Sequence, residues 1–171
     1  HSGIVFRGQG GISSATIWRN VGATAPVTFD NSARGIVGSG LERIKLMNQN
    51  AGTYTTTNGL VLSAEATGLN QMDYLSFKDI YILNFYDNIS LTGRSIWVDW
   101  ERVRCEGALR DGLNIVGTDN ISQHRFNLCR FGNSARHGVY ADLDFAGLTA
   151  TSMAFDTRTS EQKEELGRRV T

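Results

Sequence analysis

Apolar and polar side chains alternate along this chain in short bursts, and the bursts recur. Four segments share one pattern: Glu42-Arg-Ile-Lys-Leu-Met-Asn48, Lys78-Asp-Ile-Tyr-Ile-Leu-Asn84, Glu101-Arg-Val-Arg-Cys-Glu-Gly107 and His124-Arg-Phe-Asn-Leu-Cys-Arg130. Each carries an alternating apolar pair: Ile44/Leu46, Ile80/Ile82, Val103/Cys105 and Phe126/Leu128, whose first members step by 36, 23 and 23 residues. A second burst follows each of them, with inward candidates Leu60, Ile89, Leu113 and Val139 at steps of 29, 24 and 26. A third fits Tyr74–Phe77, Ser95–Val98 and Asn120–Gln123. Alternation at period 2 sends every second side chain to one face of a strand. Three strands recurring every 23–26 residues predict an all-β chain. The expected architecture is a right-handed parallel β-helix, a three-sided solenoid whose inward side chains stack from coil to coil. An antiparallel sandwich also uses short strands and turns, but it does not realign side chains in the same order repeat after repeat.

The pattern extends to both sides. Gly3–Phe6, Ala15–Trp18 and Pro26–Phe29 read as an earlier, less regular coil, and Met153 and Phe155 in Thr151–Phe155 repeat the alternating pair. The long first step leaves room for an insertion at Asn50–Thr57, of the kind that often carries specificity. The segment Thr159–Val170 reads as helical, with Thr159 three residues before Gln162 as in a capping box and Arg168 and Arg169 near the negative helix end. The expected division is therefore β-helix coils over 1–158 and a helical cap or tail over 159–171.

Composition sharpens this picture at a few points. The 171 residues suit one domain or a piece of a larger elongated one. Nineteen glycines against one proline favour many short strands joined by turns. Seventeen basic and seventeen acidic residues balance, so no global field draws the chain to nucleic acid or to an anionic membrane. No apolar run approaches the ~20 residues of a membrane span, and the opening His1-Ser2-Gly3 carries no signal-peptide pattern. Cys105 and Cys129 are too few for a disulfide framework, and the repeat places them on different sides, which argues against a bridge.

The series NGLVLS, DIYILNFYDNISLTG, ERVRCEGALRDGLNIVG and HRFNLCRFGNSARHGVYAD resembles the pectin-lyase-like β-helices, particularly phage tailspikes and capsule-degrading tail fibres. GIVFRGQG and ATIWRN are similar to the opening coil of such proteins, and the resemblance covers about residues 3–155. It implies a homotrimer on a virion, or an extracellular protein, that binds and often cleaves a capsular or O-antigen polysaccharide, as a hydrolase or a lyase. A non-enzymatic spike or adhesin and a secreted polysaccharide lyase of the pectate-lyase type are the alternatives. No cofactor is expected, and neither nucleic acid nor membrane is an expected partner.

Candidate chemistry falls on three groups of residues. Asn58, Asp87, Asp111 and His137 each stand two residues before a second-strand apolar position, so Asp87 and Asp111 would stack one coil apart with His137 beyond. Two carboxyl groups at ~5–5.5 Å match a retaining glycosidase, and close carboxylates raise one pKa enough to supply a general acid. Asp or Asn before Gly is also ordinary turn chemistry. On the outward face of the first strand, Arg43, Asp79, Arg102 and Arg125 form one column, and Lys45, Tyr81, Arg104 and Asn127 the other. Lys45, Tyr81, Arg102, Arg104 and Arg125 would hold an acidic polysaccharide through Arg forks and a ring face; a solvated sheet or a trimer contact explains them equally. Trp97 should point outward if Ile96 and Val98 point in, as a sugar platform beside Asp99 and Glu101 or as a trimer contact with Tyr81 and Tyr140, while Trp100 packs at a corner. His1, His124 and His137 are too scattered for a metal, and Asp142 and Asp144 beside His137 make only a thin calcium-lyase pattern.

Overall fold

In the structure, a computed structural model that describes residues 3–9, 16–30, 36–53, 55–64, 72–116, 121–142, 149–151 and 154–156, the bursts become strands of two to six residues that arrive in sets of four. The first set is β1 (Val5–Arg7), β2 (Thr16–Asn20), β3 (Val27–Asp30) and β4 (Ile36–Val37), and the second is β5 (Gly40–Glu42), β6 (Ile44–Asn48), β7 (Leu60–Ser63) and β8 (Met72–Asp73). The third is β9 (Ser76–Lys78), β10 (Tyr81–Leu83), β11 (Asp87–Thr92) and β12 (Ser95–Ile96), and the fourth is β13 (Asp99–Glu101), β14 (Arg104–Glu106), β15 (Asp111–Val116) and β16 (Ile121–Ser122). Then come β17 (Arg125–Asn127), β18 (Arg130–Gly132) and β19 (His137–Asp142), followed by β20 (Thr149–Thr151) and β21 (Ala154–Asp156).

Strands of equal place in each set lie side by side. They make four sheets: A (β1-β5-β9-β13-β17-β20), B (β2-β6-β10-β14-β18-β21), C (β3-β7-β11-β15-β19) and D (β4-β8-β12-β16). The pairings are parallel throughout, for example Ile82 with Cys105 in sheet B and Ile89 with Leu113 in sheet C. All-β structure in stacked parallel sheets is consistent with a parallel β-helix. The core runs between the sheets as rows of equivalent side chains. Leu46, Ile82, Cys105 and Phe131 align in sheet B, Leu60, Ile89, Leu113 and Val139 in sheet C, and Leu41, Phe77, Trp100 and Phe126 in sheet A. All but Val139 are buried. Trp100 lies in this row, stacked between Phe77 (4.4 Å) and Phe126 (5.8 Å), and not at a corner. Such pairs add about 0.5–1.5 kcal/mol each beyond the area they bury.

Corners recur as faithfully as strands. Between sheets A and B the residues Arg43, Asp79, Arg102 and Leu128 have φ of 56°, 55°, 52° and 55°; between D and A the residues Gly38, Tyr74, Trp97 and Gln123 have φ of 66°, 54°, 54° and 59°. A left-handed residue swings the chain from one sheet into the next, at a cost of roughly 1–2 kcal/mol where the residue carries a Cβ.

These corners correct several expectations. The sequence reading merges sheet D and sheet A into one strand, hence three strands per repeat where the structure has four; the bend at Tyr74 and Trp97 divides them. Ser95 pairs with Met72 and Ile121, so Tyr74 aligns with Trp97 and not with Ser95. Trp97 points outward and Val98 inward as expected, but Ile96 is only half-buried while Ser95 is buried.

The fourth burst also shifts. Phe126 pairs with Trp100, and Phe131, not Phe126, continues the row of Ile82 and Cys105. Leu128 is a corner residue, 54% exposed. The step is 26 residues here because one residue enters between sheets B and C and two more between C and D. As a result Arg130, not Asn127, continues the column of Lys45, Tyr81 and Arg104, and Arg125 belongs to sheet A beside Asp99. The two cysteines lie in neighbouring sets near one row, and not on different sides: Cys129 stands two residues before Phe131, the partner of Cys105.

The insertion at Asn50–Thr57 joins sheet B to sheet C as expected, and it holds about half of the excess in the step of 36. The remainder falls before β8. Thr151–Phe155 does begin another set, through β20 and β21, although Met153 lies outside the described residues. So do His1, Asp144 and the expected helix at 159–171.

Candidate functional site

Register brings Asp87, Asp111 and His137 together in sheet C: Asp87 pairs with Asp111, and Asp111 with His137. The residues just before them decide their role. Arg110 grips Asp87 with a two-point fork, Nε to Oδ1 at 2.8 Å and Nη2 to Oδ2, while Asn114 donates to the same Oδ2 at 3.0 Å. Arg136 grips Asp111 in the same way, with Nε to Oδ1 at 3.0 Å. His137 adds its backbone N–H at 3.1 Å and Nδ1 at 3.2 Å to Oδ1 of Asp111. Each guanidinium also covers a ring, Arg110 over Tyr86 at 4.4 Å and Arg136 over Tyr140 at 4.5 Å. The hydrogen bonds to Asp87 and Asp111 push the pKa of Arg110 and of Arg136 upward. Both carboxylates are 0% exposed. A polymer has no path to them, and the arrangement ties one set to the next. Asn58 does not cap its own turn in this contact; its Oδ1 accepts from the backbone N–H of Asp87 at 3.3 Å, a bond that joins one set to the next.

Lys45, Tyr81 and Arg104 occupy one column on sheet B. Lys45 Nζ and the Arg104 guanidinium lie 4.9 Å and 5.0 Å from the Tyr81 ring centre. The Tyr81 hydroxyl donates to Glu106 at 2.7 Å; burial, then this bond, pushes the phenol pKa up. Burial alone would raise Glu106, but the bonds from Tyr81 and Arg104, reinforced by the charges of Arg104 and Arg130, bring it below the ordinary range. Two cations, Arg104 and Arg130, thus share the Glu106 carboxylate on this face, while Lys45 lies over the Tyr81 ring.

The remaining candidates gather around sheet A. Arg125 forks onto Asp99 at 2.7 Å and 2.9 Å. Arg102, at the A–B corner, forks onto Asp79 at 2.6 Å and 3.0 Å and also reaches Glu101. The bond from Arg102 holds the Asp79 carboxyl below its ordinary range. Lys78 contacts Glu101 at 3.2 Å. Together Ser76, Asp99, Trp100, Glu101, Arg125 and Asn127 line a cavity of about 400 Å³, within the usual range for small-ligand sites. Two residues before its strands, at the D–A corner, the rings of Tyr74 and Trp97 stack at 4.9 Å and 18° while remaining 57% and 43% exposed.

Tyr74, Ser76 and Asn127 are the members that sequence reasoning missed as site residues. Their signal was the alignment of Tyr74 with Trp97, hidden by the bend. His124 lies inside, hydrogen-bonded to Ser95 and Trp100. Asp142 is exposed. Among the described residues no group of three or more His, Cys, Asp or Glu side chains is placed to hold a metal ion, and no helix is long and apolar enough to cross a membrane. No protein family matches this chain, and no curated protein or solved structure is similar to it.

Proposed function

We propose that this chain is a stretch of right-handed parallel β-helix of the phage-tailspike kind and that it binds a bacterial surface polysaccharide, capsular or O-antigen, along the outer face of sheet A. The carrying observation is the exposed Tyr74–Trp97 stack beside a cavity lined by Asp99, Glu101, Arg125 and Asn127. A sugar presents apolar C–H faces and hydroxyls that both donate and accept. Stacked rings suit the first, and mixed carboxylate, guanidinium and amide groups suit the second. The assembly that accompanies this reading is a homotrimer on the virion, for which Leu109 and Val116, 38% and 39% exposed, offer apolar contact area.

Binding without cleavage is favoured over depolymerisation by a second observation. A glycosidase acid must meet the glycosidic oxygen. Here Asp87 and Asp111 have no exposure and Asp99 and Glu101 are each engaged by Arg or Lys. The test exposes the chain to a panel of capsular and O-antigen polysaccharides, following binding by affinity electrophoresis and chain length by size-exclusion chromatography. Retention of at least one polymer, lost in Trp97→Ala and without shortening, is the expected result. Shortening with new ultraviolet absorbance would mean a lyase, and shortening without it a hydrolase. Failure to retain any polymer refutes the reading.

A further inference from the structure

Resting on that reading, we infer that the groove on sheet A takes a neutral, hydroxyl-rich saccharide and not a polymer of uronic or sialic acids. Around the groove itself stand three cations, Lys78, Arg102 and Arg125, and three carboxylates answer them, Asp79, Asp99 and Glu101; further along sheet A, Arg7 and Arg43 share Glu42. Arg125 has both Nε and Nη2 committed to Asp99, and Arg102 has the same two atoms committed to Asp79. A carboxylate on an incoming sugar would have to displace one of these forks while lying beside Asp99 and Glu101, and like charges at such range repel. A hydroxyl meets no such conflict. It can donate to a free lone pair of Asp99 and accept from the Asn127 amide, and each carboxylate has more acceptor sites than one fork fills. The exposed rings of Tyr74 and Trp97 add an uncharged platform.

Away from the groove, on sheet B, cations outnumber carboxylates: Arg104 and Arg130 share Glu106, and Lys45 lies over the Tyr81 ring. The two faces therefore make opposite predictions about ligand charge and salt. A neutral ligand on sheet A has no ion pairs to screen, whereas an acidic polymer on sheet B loses affinity steeply as salt rises.

The experiment measures affinity of the whole chain for neutral O-antigen polysaccharides, for uronic-acid capsular polysaccharides and for the latter after carboxyl reduction, at about 50 and about 300 mM sodium chloride, concentrations that straddle the Debye length of ~8–10 Å. Binding of neutral or reduced polymer that changes less than about twofold between the two salts supports the inference, given that uncharged groups are not screened. Tenfold or greater weakening by Trp97→Ala and by Asn127→Ala, with Lys45→Gln/Arg130→Gln unchanged, places that binding on sheet A. Preference for the unreduced acidic polymer, with a steep salt dependence and loss in Lys45→Gln/Arg130→Gln, overturns the inference and leaves polysaccharide binding standing. No binding to any of the three classes overturns both, with circular dichroism of each variant excluding loss of fold as the cause.

Discussion

Acid should weaken this fold through one buried imidazole. His124 is 1% exposed. Its Nδ1 accepts the Trp100 indole N–H at 3.3 Å, so the ring proton sits on Nε2, which faces the Ser95 hydroxyl at 3.0 Å. A second proton would have to go on Nδ1, against the indole donor, and would set a cation beside the ring row of Trp100 and Phe126. Burial accordingly pushes the His124 pKa down from 6.5 to about 4, only partly opposed by a hydrogen bond to the Ser95 backbone. The folded value lies below the unfolded one, so the unfolded chain takes up the proton first. This contribution to stability is complete above about pH 6.5, falls as pH drops toward about 4, and changes little below that. A displacement of this size corresponds to about 3 kcal/mol in all, with a little under half of it lost by pH 5.5 and most of it by pH 4.5. The paired carboxylates Asp79 and Glu106, both held low, lose their stabilising effect only as pH falls through their own depressed values, toward the bottom of this window. Urea denaturation at pH 7.5, 6.5, 5.5 and 4.5 reads the slope directly. His124→Phe removes the titrating group; it leaves the Trp100 N–H without its partner at about 1–3 kcal/mol, yet the curve between pH 6.5 and 4.5 should flatten. A flat wild-type profile, or an unaltered slope in His124→Phe, would refute the reasoning.

Three further outcomes follow from the packing. Asp111→Ala should lower stability by about 1–3 kcal/mol in chemical denaturation, because three groups lose a charged or backbone hydrogen bond while Arg110 and Arg136 can still turn to water; polysaccharide binding should not change. Burial pushes both Cys105 and Cys129 thiols up, and Cys105 pairs with Phe131, not with Cys129, across sheet B. Neither should react with an aromatic disulfide reagent until urea unfolds the chain, and mild oxidant should form no bridge by mass spectrometry. Leu128→Asn should raise stability by about 0.5–1 kcal/mol, since the residue is 54% exposed with φ of 55° and Asn tolerates the left-handed region better than Leu; a lower thermal midpoint would contradict this.

How far the fold could be read in advance depended on where the chain bends. Sheet C was fully legible: Leu60, Ile89, Leu113 and Val139 sit in long strands whose period-2 pattern fixes the register. Sheets D and A were not, because the left-handed corners carry Tyr74, Trp97 and Gln123, which give no glycine signal and look like strand interior. The fourth burst misled for a related reason. Phe126 and Leu128 imitate an inward pair, but three residues added upstream moved Phe126 into sheet A and Leu128 onto a corner.

The site was legible in its parts and not in its grouping. Asp87 and Asp111 were correctly stacked, while the arginine one residue before each following rung, Arg110 and Arg136, was overlooked. Those two guanidinium groups, not the carboxylates, distinguish a structural ladder from a catalytic pair. The six residues expected to bind sugar divide among sheet B, two corners and sheet A, because side chains adjacent in sequence leave the strand on different faces once a corner intervenes.

The forks themselves bear on how the molecule comes apart. Arg110 reaches Asp87, Arg136 reaches Asp111, Arg102 reaches Asp79 and Arg125 reaches Asp99; each joins two different sets, and none closes within one. In a linear array of repeats, stability divides into an intrinsic part for each repeat and a coupling between neighbours. Contacts of this kind enter only the coupling. They lengthen the stretch that must open together, so a lesion in one repeat is felt by its neighbours, and the array should melt as a few large cooperative blocks in place of fraying rung by rung.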